Sequence, residues 1–225
     1  MSIYKCRPAS HIFIAIPSYL ASLQFDTAYM LAECLPRLMA DGITVSLKIL
    51  EGNCYVDLAR CELVADFLAS DATDLLFIDS DVGAHYETLL KICRSYRPVV
   101  GAIYPKKTDD VEFPVDFLSG AHPLESDGTI EVSMIATGMM RINRAVFDVL
   151  KPKVQAFKCR GKDMHAYFQC DVRNGTYYGE DIEFCRLWRE AGGKLYVFPN
   201  ETLSHTGPHA WIGNLQNAIR GGKLK

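Results

Sequence analysis

Between residues 11 and 104, short apolar runs alternate with stretches of helical spacing, and this alternation narrows the possible folds more than any other feature. His11-Ile12-Phe13-Ile14-Ala15-Ile16 reads as a buried strand ended by Pro17-Ser18. Asp26 to Ala40 reads as a helix closed by Asp41-Gly42, and Pro36 inside it predicts a kink or an earlier stop. Ile43, Val45, Leu47 and Ile49 alternate with polar residues, as in a half-buried strand. Val56 to Ser70 has the clearest helical spacing. Val56, Ala59, Leu63, Val64 and Phe67 share one face, with Asp57, Arg60 and Asp66 off it or at its edge. Leu75-Leu76-Phe77-Ile78 is too short for a helix and reads as a buried strand. A helix from Tyr86 to Arg94 and a strand from Val99 to Tyr104 follow. The order β-α-β-α-β-α-β predicts an α/β fold with a parallel, doubly wound sheet and right-handed crossovers.

The rhythm changes after residue 105. Residues 106 to 130 are acidic and punctuated by Pro and Gly. Thr129 to Met134 alternates like a strand, Ala136 to Ile142 resembles a strand broken by Gly138, and Arg144 to Leu150 reads as a short helix. Residues 151 to 178 show little regular pattern and suggest a long working loop. Glu180 to Ala191 is a helix stopped by Gly192-Gly193, Lys194 to Phe198 a strand, and Trp211 to Ile219 a terminal helix before a frayed tail from Gly221 to Lys225. With 49% hydrophobic residues, 225 residues can bury one sizeable core, so a single domain over 1–225 is expected. A net charge of -3 gives no bulk reason to expect nucleic acid or an anionic membrane as partner. Eight cysteines without a Cys-x-x-Cys pair suggest a reduced, cytoplasmic protein using cysteine as a small hydrophobe. Met1 to Cys6 has no signal-peptide character, and the run from Ile12 to Ile16 is too short to span a bilayer.

The chemistry concentrates where strands end. Asp79 and Asp81, with Ser80 between them, follow the third strand at the edge where open α/β sheets bind ligands. Two carboxylates so close tolerate each other best around a cation, and hard oxygen ligands suit Mg2+ or Mn2+. The plain alternative is a solvated acidic turn capping the next helix. The loop Pro17-Ser18-Tyr19 belongs to the same edge, as do Gly138, the turn Gly179-Glu180-Asp181, and His205. An enzyme that breaks a bond to a nucleoside diphosphate needs a metal for the diphosphate, a carboxylate to take a proton, and a glycine where backbone approaches a sugar. Each residue also has a plainer reading. Glu180 and Asp181 at a helix start would suit the helix dipole, and His205 could sit in a turn. Arg60 could be a solvated helix residue or a diphosphate or base contact. Lys106 and Lys107 read as surface charge, and Tyr104, Tyr177 and Tyr178 as core or sugar-stacking rings.

Taken in order, Ile12 to Tyr19, Leu75 to Asp81, Ala136 to Met140, Tyr178 to Cys185 and Leu203 to Gly207 resemble the GT-A glycosyltransferases, over about residues 11 to 207. The resemblance implies a GT-A type, Rossmann-like, mostly parallel sheet. It also implies transfer of a sugar from a UDP- or GDP-sugar to a glycan or other hydroxyl acceptor, with Mn2+ or Mg2+. Asp79 and Asp81 would be the Asp-x-Asp motif meeting donor ribose and metal, and His205 a further metal ligand. Asp181 would be the base of an inverting reaction, with Glu180 as fallback. Pro17, Ser18, Tyr19, Arg60, Ser80 and Gly138 complete the expected donor site. Residues 1–105 would hold the nucleotide and 106–225 the acceptor. Two rivals remain. One is a phosphohydrolase of the haloacid dehalogenase type, which carries Asp-x-Asp on its first strand; the other is a nucleotide-sugar-binding module without catalysis.

Overall fold

The computed structural model describes residues 7–221; Cys6, the reading of residues 1–6 and that of the tail 222–225 lie outside the described residues. The chain opens with β1 (His11–Ser18), α1 (Phe25–Ala40), β2 (Thr44–Glu51), α2 (Val56–Ala69), β3 (Asp74–Ile78), β4 (Val82–Ala84), α3 (Tyr86–Arg94) and β5 (Val99–Gly101). It continues with β6 (Val115–Phe117), β7 (Ile130–Ile135), β8 (Met139–Asn143) and α4 (Arg144–Leu150). Two hairpins follow, β9 (Ala156–Cys159) with β10 (Lys162–His165), and β11 (Asp171–Arg173) with β12 (Thr176–Tyr178). The last elements are α5 (Glu180–Glu190), β13 (Leu195–Val197), β14 (Thr202–Thr206), β15 (Ala210–Asn214) and α6 (Leu215–Arg220).

The fold is α/β, as expected. A central sheet has the order β2-β1-β3-β8-β5-β13-β7-β6. Every strand but β7 and β8 runs in one direction. Alternate residues along β1 and β3 feed two cores. Phe13, Ala15, Leu75 and Phe77 pack with α2, α4 and α5, whereas Ile12, Ile14, Leu76 and Ile78 pack with α1 and α3. Helices therefore cover both faces. That is why these strands read as continuous apolar runs. Burying each large side chain of β3 stabilises the fold by about 1.5–3 kcal/mol.

Several local expectations change. β1 runs on through Pro17 and Ser18, which pair with Leu50 and Glu51 of β2, but its ladder with β3 ends at Ala15–Phe77. Pro17 thus lies beyond the last pair on the β3 side, where a missing N–H is tolerated. α1 continues past Pro36 to Ala40, anchored by buried Cys34 and Leu38. β2 is more open than half-buried, with Leu47 and Ile49 exposed, because it is the edge strand of the sheet. β5 stops at Gly101, three residues short of Tyr104. The stretch from Ala136 to Ile142 is no single broken strand. β8 starts only at Met139 and inserts antiparallel between β3 and β5. Residues 151 to 178 are mostly hairpin, and the positive φ of Arg160-Gly161 and Asn174-Gly175 marks their turns. Asn-Gly is the residue pair such a two-residue turn prefers. Trp211 lies on β15, and the terminal helix begins only at Leu215. Among the described residues the seven cysteines are free, and no helix is long and apolar enough to cross a membrane.

Candidate functional site

β3 delivers the acidic turn. Its register with β8 sets Ile78 opposite Met139, and the Asp79 N–H donates to the Gly138 carbonyl at 3.0 Å. Asp79-Ser80-Asp81 then crosses from the central sheet to a second sheet of order β15-β14-β4. In that sheet Val82 pairs with His205, which carries the histidine to the neighbour of Asp81. His205 is therefore a strand residue of β14, not one in a turn. The Thr206 N–H fixes the arrangement by donating to the Asp81 carbonyl at 2.8 Å. Two glycines permit it. A Cβ on Gly83 would lie 2.7 Å from Ser204 Oγ and 2.8 Å from Asp26 Cβ. One on Gly138 would lie 2.6 Å from the Tyr104 hydroxyl and 2.7 Å from Asp79 Oδ2.

His205 Nδ1 lies 2.9 Å from the Pro105 carbonyl, so that nitrogen carries a proton and donates it. Nε2 is left facing Asp81 Oδ1 at 3.5 Å. A neutral ring would set a lone pair against a carboxylate there, an arrangement that an intervening cation or a second ring proton relieves. A backbone carbonyl on the far ring nitrogen is also how metal-binding histidines are oriented. The other Asp81 oxygen accepts from Lys107 Nζ at 2.5 Å. Burial raises the Asp81 pKa, but the interactions with His205 and Lys107 outweigh it and hold the acid below its usual range.

Asp79 faces elsewhere. Arg60, only 3% exposed, donates from Nη2 to Asp79 Oδ1 at 3.0 Å and from Nε to Glu180 Oε1 at 3.1 Å. Burial opposes its charge, yet the two acids outweigh burial and raise its pKa. Arg60 is therefore not a solvated helix residue; it links the acidic turn after β3 to the one before α5. Its Nη1 is buried and has no hydrogen-bond partner among the described residues, and the same holds for Asn53 Nδ2 on the β2–α2 connection. Sequence reading passed over Asn53, which carries no pattern of its own.

Asp181 opens α5 after Gly179, and its Oδ1 accepts from the Ile182 N–H at 2.8 Å. Burial first, and the charge of Glu180 second, push its pKa up to about 6. That is a carboxylate suited to accept a proton near neutral pH. Phe184, Cys185 and Trp188 anchor the helix in the core, whereas Ile182 is only half-buried. Glu183, also missed in the sequence, is buried and ties the β11–β12 hairpin to α5 by accepting from Arg173 at 2.5 Å and Arg186 at 2.9 Å. A cleft of about 400 Å³ opens beside Ile182, lined also by Asp116, Ser133, Met134, Arg173 and Arg186.

The remaining expected donor residues are tied in less directly. The Ser18 hydroxyl donates to the Ser22 carbonyl at 2.7 Å, and Tyr19 is exposed. Their loop reaches the acids through the Gln24 N–H, which donates to the Ser80 carbonyl at 2.8 Å. Tyr104 is core, its ring 4.7 Å from that of His205, and burial pushes its pKa well above the usual value. Among the described residues no three His, Cys, Asp or Glu side chains group as a metal centre. The expected trio is not assembled: Asp81 and His205 converge, while Asp79 is engaged by Arg60. Two protein ligands fit Mg2+ or Mn2+, which are often held by one or two carboxylates plus water and phosphate oxygens.

No family model and no curated protein matches the chain by sequence. Among solved structures, A197 from STIV superposes with a TM-score of 0.54 at 17% identity, over 88% of this chain and 86% of that one, so the two share a fold. GalNAc-T7 with UDP, GalNAc and Mn2+ gives a TM-score of 0.49 at 13% identity; the match covers 88% of this chain and 43% of that one. A glycosyltransferase involved in glycosylation of the major capsid of PBCV-1 gives 0.33 at 15% identity, over 62% and 63%.

Proposed function

We propose that this chain is a GT-A glycosyltransferase that moves a hexosyl group from a UDP- or GDP-sugar to a hydroxyl acceptor with inversion, in a cytoplasmic setting. One observation carries the reading: Arg60 joins Asp79 to Glu180, so the Asp-x-Asp turn and the acid pair of α5 form one cluster at a single sheet edge. In this reading residues 1–105 hold the nucleotide, and the unpartnered Arg60 Nη1 and Asn53 Nδ2 supply donors to it. Residues 106–225 shape the acceptor site.

Asp81 and His205 would hold Mn2+ or Mg2+, and Asp79 would meet the donor ribose. When bound, the ion offsets charge on the diphosphate leaving group. Asp181 takes the proton from the acceptor hydroxyl as that oxygen attacks the anomeric carbon. Its place on a packed helix keeps the carboxylate still, as positioning requires. Gly138 lets Asp79 and Tyr104 pack directly against its backbone, where a Cβ would collide with both, and so helps set the position of the acid.

The phosphohydrolase reading fits less well. Its nucleophile would be Asp79, yet one oxygen of that acid is held by Arg60 and the motif follows the third strand of the central sheet. The test is incubation with UDP- and GDP-sugars plus Mn2+, with donor cleavage followed by NMR. Release of nucleoside diphosphate and an inverted product support the proposal. Retention of configuration removes the role of Asp181, and phosphate release from p-nitrophenyl phosphate without donor cleavage replaces the reading by the hydrolase.

A further inference from the structure

Lys107 is not used in that scheme, yet it makes the shortest side-chain contact to the acidic turn. Nζ lies 2.5 Å from Asp81 Oδ2, while His205 faces the other oxygen of the same carboxylate. Exposed lysine–carboxylate pairs are common and weak. This one differs in what surrounds it. The stem of Lys107 lies against Gly207, just past the end of β14, with Cδ 3.3 Å from where a Cβ on that glycine would stand. Its loop is closed by its own bonds. The Lys106 N–H donates to the Glu112 carbonyl at 2.8 Å, Lys106 Nζ pairs with Glu112 at 3.0 Å, and the Thr108 hydroxyl donates to the Asp110 carbonyl at 2.8 Å. The ammonium can therefore leave Asp81 by rotating its side chain, with the loop intact.

We propose that Lys107 is the built-in counter-ion of Asp81, which a divalent cation must displace and which then pairs with the diphosphate that the cation carries. The inference rests on the reading of Asp81 as a metal ligand. The ammonium sits on Oδ2 and His205 faces Oδ1, so an ion held between Oδ1 and His205 would stand across one carboxylate from the ammonium. Their repulsion, which falls off only as the reciprocal of distance, drives the ammonium away. The lysine holds down affinity for free metal. A nucleoside diphosphate reverses this by offering the ammonium a second anionic partner. Metal and diphosphate then bind as a pair, and the ammonium is set beside the leaving group.

The test is Mn2+ binding followed by electron paramagnetic resonance, with and without UDP or GDP, on the wild-type chain, Lys107→Ala and Lys107→Arg. Lys107 lies on an exposed loop, so the fold should survive either change. Lys107→Ala is expected to bind Mn2+ alone about three- to tenfold more tightly, from loss of one nearby positive charge. The gain in Mn2+ affinity caused by UDP or GDP should shrink by a similar factor, and Lys107→Arg should stay close to wild type. Unchanged or weaker Mn2+ binding by Lys107→Ala, in a protein whose wild type binds Mn2+ with UDP or GDP, overturns the proposal alone. Absence of Mn2+ binding in every variant, with and without nucleotide, overturns the glycosyltransferase reading together with it.

Discussion

β3 carries an acid paired with an arginine at each of its ends. At the amino end Asp74 and Arg141 lie 3.5 Å apart, with side chains 1% and 0% exposed. Asn143 donates to the same acid at 3.1 Å, and Arg141 also donates to the carbonyls of Cys93 and Arg97. At the carboxyl end Asp79 and Arg60 lie 3.0 Å apart, with side chains 24% and 4% exposed. The chemistry is the same, and the surroundings differ. The first pair is sealed under the sheet and serves the fold. The second meets solvent and lies in a cluster with a carboxyl of raised pKa. Burial of the acid separates a structural ion pair from one that can receive a ligand.

Substitutions at the two ends should therefore move stability and activity in different ways. The largest effect is expected from Asp181→Asn, with a loss of about two to four decades of transfer rate, the usual span for general-base catalysis, and donor binding retained. Stability should change the other way. This carboxyl titrates near 3.8 when unfolded and about 6 when folded, so the fold favours its neutral form. The stability it contributes is present below about pH 4 and is lost as pH rises towards 6. Removing the charge should thus raise unfolding free energy at pH 7 by about 1–3 kcal/mol, read by urea titration, less what the helix dipole loses. The wild-type rate should fall on acidification through about pH 6. A pH–rate profile without that limb would take the base role from Asp181.

Arg141→Ala should lower stability by about 3–5 kcal/mol, because it strands a buried carboxylate. Arg60→Ala should cost less, about 1–3 kcal/mol, since Asp79 can still reach water, while donor binding is lost. Equal stability losses at both ends would break the contrast. Asp81→Asn should weaken binding of UDP or GDP with Mn2+ at least about tenfold with the fold intact, a scale seen even when only a ligand's partner is changed. His205→Ala should give the smallest effect, because water can take a vacant position on Mg2+ or Mn2+. Calorimetry ranks the two, and a His205→Ala loss larger than that of Asp81→Asn would reverse their assigned importance.

Much of the first half was legible because its signals are local. Four apolar residues before Asp79 leave little choice but a buried strand, and the spacing of Ala59, Leu63, Val64 and Phe67 allows one helical face. The misreadings share a cause. Arg60 falls at the edge of that face, where helical spacing says solvent, but its two acids come from positions 79 and 180. The hairpin at Asn174-Gly175 was readable from its turn residues, and short strands around it hid the signal.

The sequence by itself determined the alternating elements, the two-faced core and the positions of Asp79, Asp81, Glu180 and Asp181 at element ends. These follow from periodicity and capping over a few neighbouring residues. Tertiary structure alone decided the partners. The β4–β14 register brings His205 to Asp81 across more than a hundred residues, and the insertion of β8 sets Gly138 against Asp79 and Tyr104. Burial then decides the chemistry. It makes Arg60 a buried link between two acids and shifts Asp181 towards neutrality, because the cost of a charge depends on what the whole fold places around it.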